Sequence, residues 1–279
     1  MSSKRVLFIT QEIMPYVDES PLSVIGRKQP QYVQEHGREI RVFMPKWGTI
    51  NERRSQLHEV QRLSGMNLII DDTDHLLIIK VASIPSARMP VYFIDNDDFF
   101  MRRLEVCDEN GNEYPDNAER AIFYSRGVLE TVKKMRWAPD VIHCQGWMSV
   151  ASPLYIKRSY FEEPSYRDSR VIFTPSAMDV LKMSTTDQFR ADIIFRNVTE
   201  EHLAAYPQHL SLRDLNHLAI DYSDGLLLTE ESNDPELVEY AQQQGIPVLE
   251  PVDMKADGPE RILEFYDQVE RREIDEEEE

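Results

Sequence analysis

Cysteine, glycine and positive charge are all scarce in this chain of 279 residues, and no long apolar run occurs in it. Its two cysteines, Cys107 and Cys144, fit neither a disulfide framework nor a metal pair. That excludes structural zinc and suits a reducing compartment. None of the ten glycines falls in a G-x-G-x-x-G or Walker A pattern, so the two strongest phosphate-cradling signatures are missing. No stretch approaches the roughly 20 apolar residues that span a bilayer. The opening "MSSKRVLFIT" runs from a basic pair straight into a strand-length segment, and the expectation is a cytoplasmic protein. Lys and Arg number 31 against 50 Asp and Glu, a formal net charge of −19. Polyanion binding draws its affinity from cations that neutralise phosphates, so neither nucleic acid nor an anionic membrane is expected as a partner.

What remains is the composition of an ordinary globule, 41% hydrophobic and 29% charged. The length fits one large α/β domain or two small ones. Strand-length runs recur at "RVLFIT" (5–10), "REIRVFMP" (38–45), "PDVIHC" (139–144), "RVIFTP" (170–175), "DGLLLT" (224–229) and "GIPVLEP" (245–251). Several are near-continuous in Val, Ile, Leu and Phe, the pattern of parallel strands covered on both faces. Between them, 117–137 has helical spacing, with Asp116 and Glu119 as a capping box. "PELVEYAQQQG" (235–245) reads as a helix opened by proline and closed by glycine. The alternation predicts a doubly wound Rossmann-like α/β domain with right-handed crossovers. One region departs from it. Residues 66–96 hold three strand-like runs around the turn "DDTDH", which reads as a small antiparallel insertion. From Asp257 eleven acids stand against three arginines. The expected division is therefore a domain over 1–256, then a C-terminal helix and a solvated, disordered acidic tail over 257–279.

Two local motifs carry chemistry. "DENGNEYPDNAE" (108–119) offers oxygen ligands at near calcium-loop spacing, but its glycine is fourth instead of sixth. It reads as a loop before a capped helix, with no metal. "HCQGWM" (143–148) lies at the C-terminal end of a predicted parallel strand, where open α/β sheets place ligands. His143 there reads equally well as a polar site group or as hydrogen-bonded structure.

Three stretches resemble the N-terminal catalytic domain of bacterial glycogen synthases and plant starch synthases, retaining glycosyltransferases that move glucose from ADP-glucose to an α-1,4-glucan. "VYFIDN…DENGNEYPDNAERAIFYSRGVLE" is similar to the family's V-Y-x-I-D through Y-x-D-N-A-E-R-F-x-F-F-S-R-A. "PDVIHCQGWMSVASPLYIK" is similar to P-D-V-V-H-A-H-D-W-H-x-x-L-x-P-x-Y-L. The opening, from "VLFIT" through "PYVDESPLSVIGRKQPQYVQEHGREIRVFMP", follows L-F-V-T-x-E-x-x-P-F-x-K-T-G-G-L-A-D-V without a gap.

The resemblance implies the N-terminal half of a GT-B fold over about the first 230 residues. It places the family's lysine on Asp18, its threonine on Glu19 and its paired glycines on Ser20 and Pro21. The first histidine of H-A-H-D-W is kept as His143, the second becomes Gln145, the aspartate becomes Gly146, and the tryptophan persists as Trp147. The catalytic histidine of T-V-H-N falls on Ser176. Transfer from ADP-glucose builds negative charge on the departing diphosphate and needs preorganised donors there. Asp18 reverses the sign of one such group, and Pro21 removes an N–H.

The family's second, nucleotide-sugar domain is not expected in the segment after Ser232. The resemblance therefore implies a non-catalytic binding or regulatory module without a cofactor. The alternative is a glucosyltransferase completed by another chain. A third reading is a different enzyme built around His143, Gln145 and Trp147. The candidate partners are an α-glucan or another protein at the interdomain face, or a second copy of the chain. The helix at 258–272 offers another cover for that face, as the last helix of GT-B enzymes crosses back onto this domain.

Overall fold

The computed structural model describes residues 3–70, 72–101, 103–182 and 185–277, with side chains to Arg271. In chain order its elements are β1 (Arg5–Thr10), α1 (Pro21–Glu35), β2 (Glu39–Pro45), β3 (His58–Glu59), β4 (Met66–Ile70), β5 (Thr73–Ile84), β6 (Met89–Asp95) and α2 (Asn117–Met135). After them come β7 (Val141–Gln145), α3 (Ser152–Leu154), β8 (Arg170–Thr174), α4 (Asp187–Ile193), α5 (Leu212–Asp221), β9 (Gly225–Leu227), α6 (Pro235–Gln243), β10 (Val248–Leu249) and α7 (Gly258–Glu277).

The strands form one sheet in the order β10-β9-β8-β7-β1-β2-β6-β5-β3, with β4 paired to β5. From β10 to β6 every neighbour is parallel. The apolar runs do what their pattern predicts: Val6 to Ile9 and Val141 to Gln145 are fully buried. Successive side chains on β7 show which helices cover which face. His143 Nδ1 lies 2.6 Å from the Tyr266 hydroxyl on α7, whereas Cys144 meets Ser152 of α3. So α7, which packs on α1, covers one face, and α3 with its neighbours α2 and α5 covers the other.

Three expectations need correction. β6 is not part of an antiparallel insertion, since it pairs parallel with β2 and belongs to the main sheet. The inserted antiparallel strands are β3, β4 and β5, and β4 and β5 are in register up to the Ile70↔Thr73 pair. Asp72 there has φ 53°, while Asp71 lies outside the described residues. Helix α2 has no side-chain cap at Asp116. That carboxylate binds Arg103 at 2.5 Å instead, and Glu119 takes a hydrogen bond from Thr186 at 3.3 Å. Finally, α7 runs to Glu277, so the backbone of 274–277 continues the helix where the sequence suggests a tail.

Candidate functional site

The chain leaves β1 toward β2 and β6 on one side and returns at β7 to build β8, β9 and β10 on the other. Open α/β sheets bind ligands beyond the strand ends at such a reversal. The segments after β1 and β7 therefore define where to look. A cleft of about 830 Å³ opens beside the loop after β1, on its β2 side, lined by Glu12, Tyr16, Asp18, Glu19, Ser20, Asn51, Arg54 and Glu105 among others, with no described residue of the segment after β7 in its walls.

The first wall is set by how α1 begins. Ser20 is its N-cap: the Ser20 hydroxyl accepts from Ser23 N–H, and the Ser23 hydroxyl accepts from Ser20 N–H. Pro21 occupies the first helical position, where its missing N–H costs nothing. The capped serine also donates to Glu12 Oε2 at 2.5 Å, and Gln11 Nε2 donates to Glu12 Oε1 at 2.7 Å. Gly26 lets α1 come this close, because a Cβ there would stand 2.2 Å from the Glu12 carbonyl oxygen.

Charge in the cleft is one-sided. Glu12, Asp18, Glu19 and Glu105 line it, against the single guanidinium of Arg54 among the described lining residues. Burial raises the Glu12 carboxyl above its ordinary range, and Glu231 adds to that, while the hydrogen bonds from Ser20 and Gln11 oppose it. Glu105 is pushed up to about 7, first by burial and then by the charges of Glu12 and Asp18, with Arg120 pulling the other way. Arg120 also holds the loop that carries Glu105, donating to the carbonyls of Phe99, Leu104 and Glu105 at 2.8 to 3.1 Å.

Of the residues singled out from sequence, Asp18, Glu19 and Ser20 line the cleft, and Pro21 starts the helix behind them. His143 and Gln145 do not reach it. Both are fully buried in β7. His143 Nε2 lies 2.8 Å from Thr174 Oγ1, and burial holds its pKa down to about 3. It lies in the core with a hydrogen-bond partner at each ring nitrogen.

Gly146, Trp147 and Ser176 form a second cluster beside Gln11. Gly146 has φ 83°, and a Cβ would meet Gln11 Oε1 at 2.5 Å. Ser176 Oγ accepts from Trp147 N–H at 2.9 Å and lies 3.4 Å from Gln11 Oε1. Sequence reasoning did not single out Glu12, Glu105, Arg54 or Asn51. Glu12 had a signal, the T-x-E of the opening motif, kept here as Thr10 and Glu12. The other three sit in irregular segments with no motif.

Among the described residues no group of three or more His, Cys, Asp or Glu is placed to hold a metal. Nor is any helix among them long and apolar enough to cross a membrane. Helix α7 packs on α1 and β8 and is not among the cleft's lining elements, so it covers a sheet face and leaves the strand ends open.

The model of the starch synthase catalytic domain matches residues 5–247. A glycogen synthase of Pelodictyon phaeoclathratiforme is 37% identical over 171 residues, 61% of this chain and 35% of that protein. One from Chlorobaculum tepidum is 36% identical over the same shares. The chain thus spans about a third of the length of the curated relatives it matches. Among solved structures, the catalytic domain of Arabidopsis thaliana starch synthase IV bound to ADP and acarbose aligns with a TM-score of 0.70 at 16% identity. The alignment covers 91% of this chain and 53% of that one, a likeness of fold. By the match over most of its length, this chain belongs to the starch synthase catalytic domain family.

Proposed function

We propose that this glycogen/starch synthase-like domain is a binding module that does not itself transfer glucose from ADP-glucose. The observation that carries the reading is the charge of the cleft. Four carboxylates surround it, two of them Asp18 and Glu19, on positions where the resemblance places a lysine and a threonine. A diphosphate leaving group needs cations and N–H donors aimed at its developing charge. A rim of carboxylates opposes that charge in both ground and transition state. The starch synthase IV domain is bound to ADP, and this is the ligand class that the acids here disfavour.

A neutral ligand meets no such penalty. Sugar hydroxyls donate well to carboxyl oxygens, and Glu12, Asp18 and Glu19 supply such acceptors. The cleft therefore suits a neutral polyhydroxyl chain such as an α-glucan, held without a nucleotide-sugar donor.

Two measurements test this. Purified protein is incubated with radiolabelled ADP-glucose and glycogen, and label in the polymer is counted; incorporation above a boiled control refutes the reading. Calorimetric titration then compares ADP, ADP-glucose and maltooligosaccharide. Heat from the oligosaccharide alone is the expected result, and three flat traces would remove glucan from the proposal.

A further inference from the structure

On the far side of the molecule from α7, a groove of about 800 Å³ runs along the outer edge of β4. All five residues of β4 line it, α2 contributes Arg126 and Glu130, and Gln188, Ala191, Asp192, Ile194 and Phe195 form the opposite wall. Among the described residues β4 pairs only with β5. In a hairpin closed by two residues the flanking pair, Ile70↔Thr73, exchanges hydrogen bonds, and so do alternate pairs beyond it. The backbone groups of Asn67 and Ile69 therefore point away from β5, into the groove. The structure agrees: the Ile69 carbonyl accepts from Arg126 Nη1 at 2.7 Å. Among the described residues no strand takes up the remaining outward groups of Asn67 and Ile69.

We propose that this groove takes an extended peptide segment of a partner protein as an added strand on β4, apolar at alternate positions and carrying lysine or arginine. Strand addition to an open edge draws its affinity from main-chain hydrogen bonds and its specificity from alternate side chains. Ile69 is 58% exposed beside the position an added strand would occupy, and Ile194 is 38% exposed across the groove. Both meet the side chains of an incoming strand, where cross-strand apolar pairs are favourable.

A further donor awaits an acceptor. Arg126 is 5% exposed, and its Nε has no hydrogen-bond partner although the guanidinium lies 3.8 Å from the Phe195 ring centroid. A peptide carbonyl entering the groove supplies that acceptor, and a buried N–H left unmatched is costly enough that such groups are rare.

Charge selects the occupant. Asp72 and Asp192 line the groove beside Arg126, and Glu130 there is already paired with Arg196 at 2.9 Å. The groove offers acids and one guanidinium, so a basic segment is more complementary than an acidic one. A second copy of the chain, with a net charge of −19, is repelled.

The probe is an acetylated, amidated and fluorescently labelled hexapeptide of sequence Lys-Val-Thr-Val-Lys-Val, titrated into the full chain and followed by anisotropy. Saturable binding is expected, with slowed hydrogen exchange at the Asn67 and Ile69 amides. Methylating a single peptide nitrogen that faces β4 should weaken binding about tenfold, the effect of one lost backbone hydrogen bond. Ile69→Pro removes an N–H that does not serve the β4–β5 pairing and should weaken it by about as much. Ile194→Ser trims a partly exposed apolar side chain on the opposite wall without changing charge or touching β4, and should weaken binding several-fold. No saturable binding overturns the proposal. So does binding indifferent to both N-methylation and Ile69→Pro, or binding equalled by a peptide with Glu in place of Lys.

Discussion

Replacing Glu105 by Gln should make the protein more stable at neutral pH and leave it little changed in acid. The native carboxyl is raised from 4.5 to about 7, with burial as the leading cause and Glu12 and Asp18 adding repulsion. A carboxyl raised in the native state binds protons more tightly folded than unfolded. Its favourable contribution is therefore complete below the unfolded pKa and is lost as pH rises through the native one. At about 1.36 kcal/mol per pKa unit the full loss approaches roughly 3 kcal/mol. Partial contact with solvent makes that an upper limit. Gln has the shape of the protonated acid and does not titrate.

Urea denaturation of both proteins from pH 5 to 8 gives the difference directly, and groups common to both cancel. The variant's advantage should grow by roughly 2 kcal/mol across that window and level off above pH 7. Asp18→Asn, which removes one of the charges acting on Glu105, should shift the step to lower pH. A difference that stays constant from pH 5 to 8 would show that Glu105 is not held among carboxylates, and with it would go the acidic cleft.

Other outcomes follow from the same contacts. Asp18→Lys combined with Glu19→Thr should tighten ADP binding about tenfold, the scale expected for surface charges; unchanged calorimetry would mean that these acids are not what excludes a diphosphate. Tyr266→Phe leaves His143 Nδ1 with only the 3.2 Å contact to Gln145. It should cost about 1 to 2 kcal/mol in urea denaturation, with no pH dependence between 5 and 8 because the histidine stays neutral. Gly146→Ala must adopt φ 83° with its Cβ against Gln11, and should lose about 2 kcal/mol or more in the same measurement.

Much of the fold was legible in the sequence because strands buried on both faces write themselves as apolar runs. β1, β7 and β8 lie where those runs lie, within a residue or two. The edges were less legible. "GIPVLEP" yields only Val248 and Leu249 as strand, since an edge strand has one neighbour to hold it. "MPVYFID" looked like part of the insertion, because nothing in a strand's composition states whether its neighbour runs parallel. The capping box at α2 was lost to Arg103, thirteen residues upstream of Asp116, a competitor that local spacing does not reveal.

For the site, three residues that the sequence singles out in the loop after β1, Asp18, Glu19 and Ser20, line the cleft. His143 was not readable, because a histidine at a strand end looks the same whether it faces a ligand or Tyr266. Glu105 was invisible for another reason: its proximity to Glu12 and Asp18 depends on a loop held by Arg120 across the tertiary fold.

The way α7 is fastened gives the folding of this chain a direction. Lys4 pairs with Asp267 and Glu270, Arg38 with Asp267, and Phe265 and Val269 pack on Gly225. These contacts join segments separated by as many as 266 residues. On a ribosome, β1, β2 and β7 emerge long before residues 258–271 exist, and until then the apolar face beneath α7 is bare. Contacts of such sequence separation form late and slowly, and exposed apolar surface in that interval invites aggregation. The span matched by the family model ends at residue 247, so expressing it alone would leave that interval permanent.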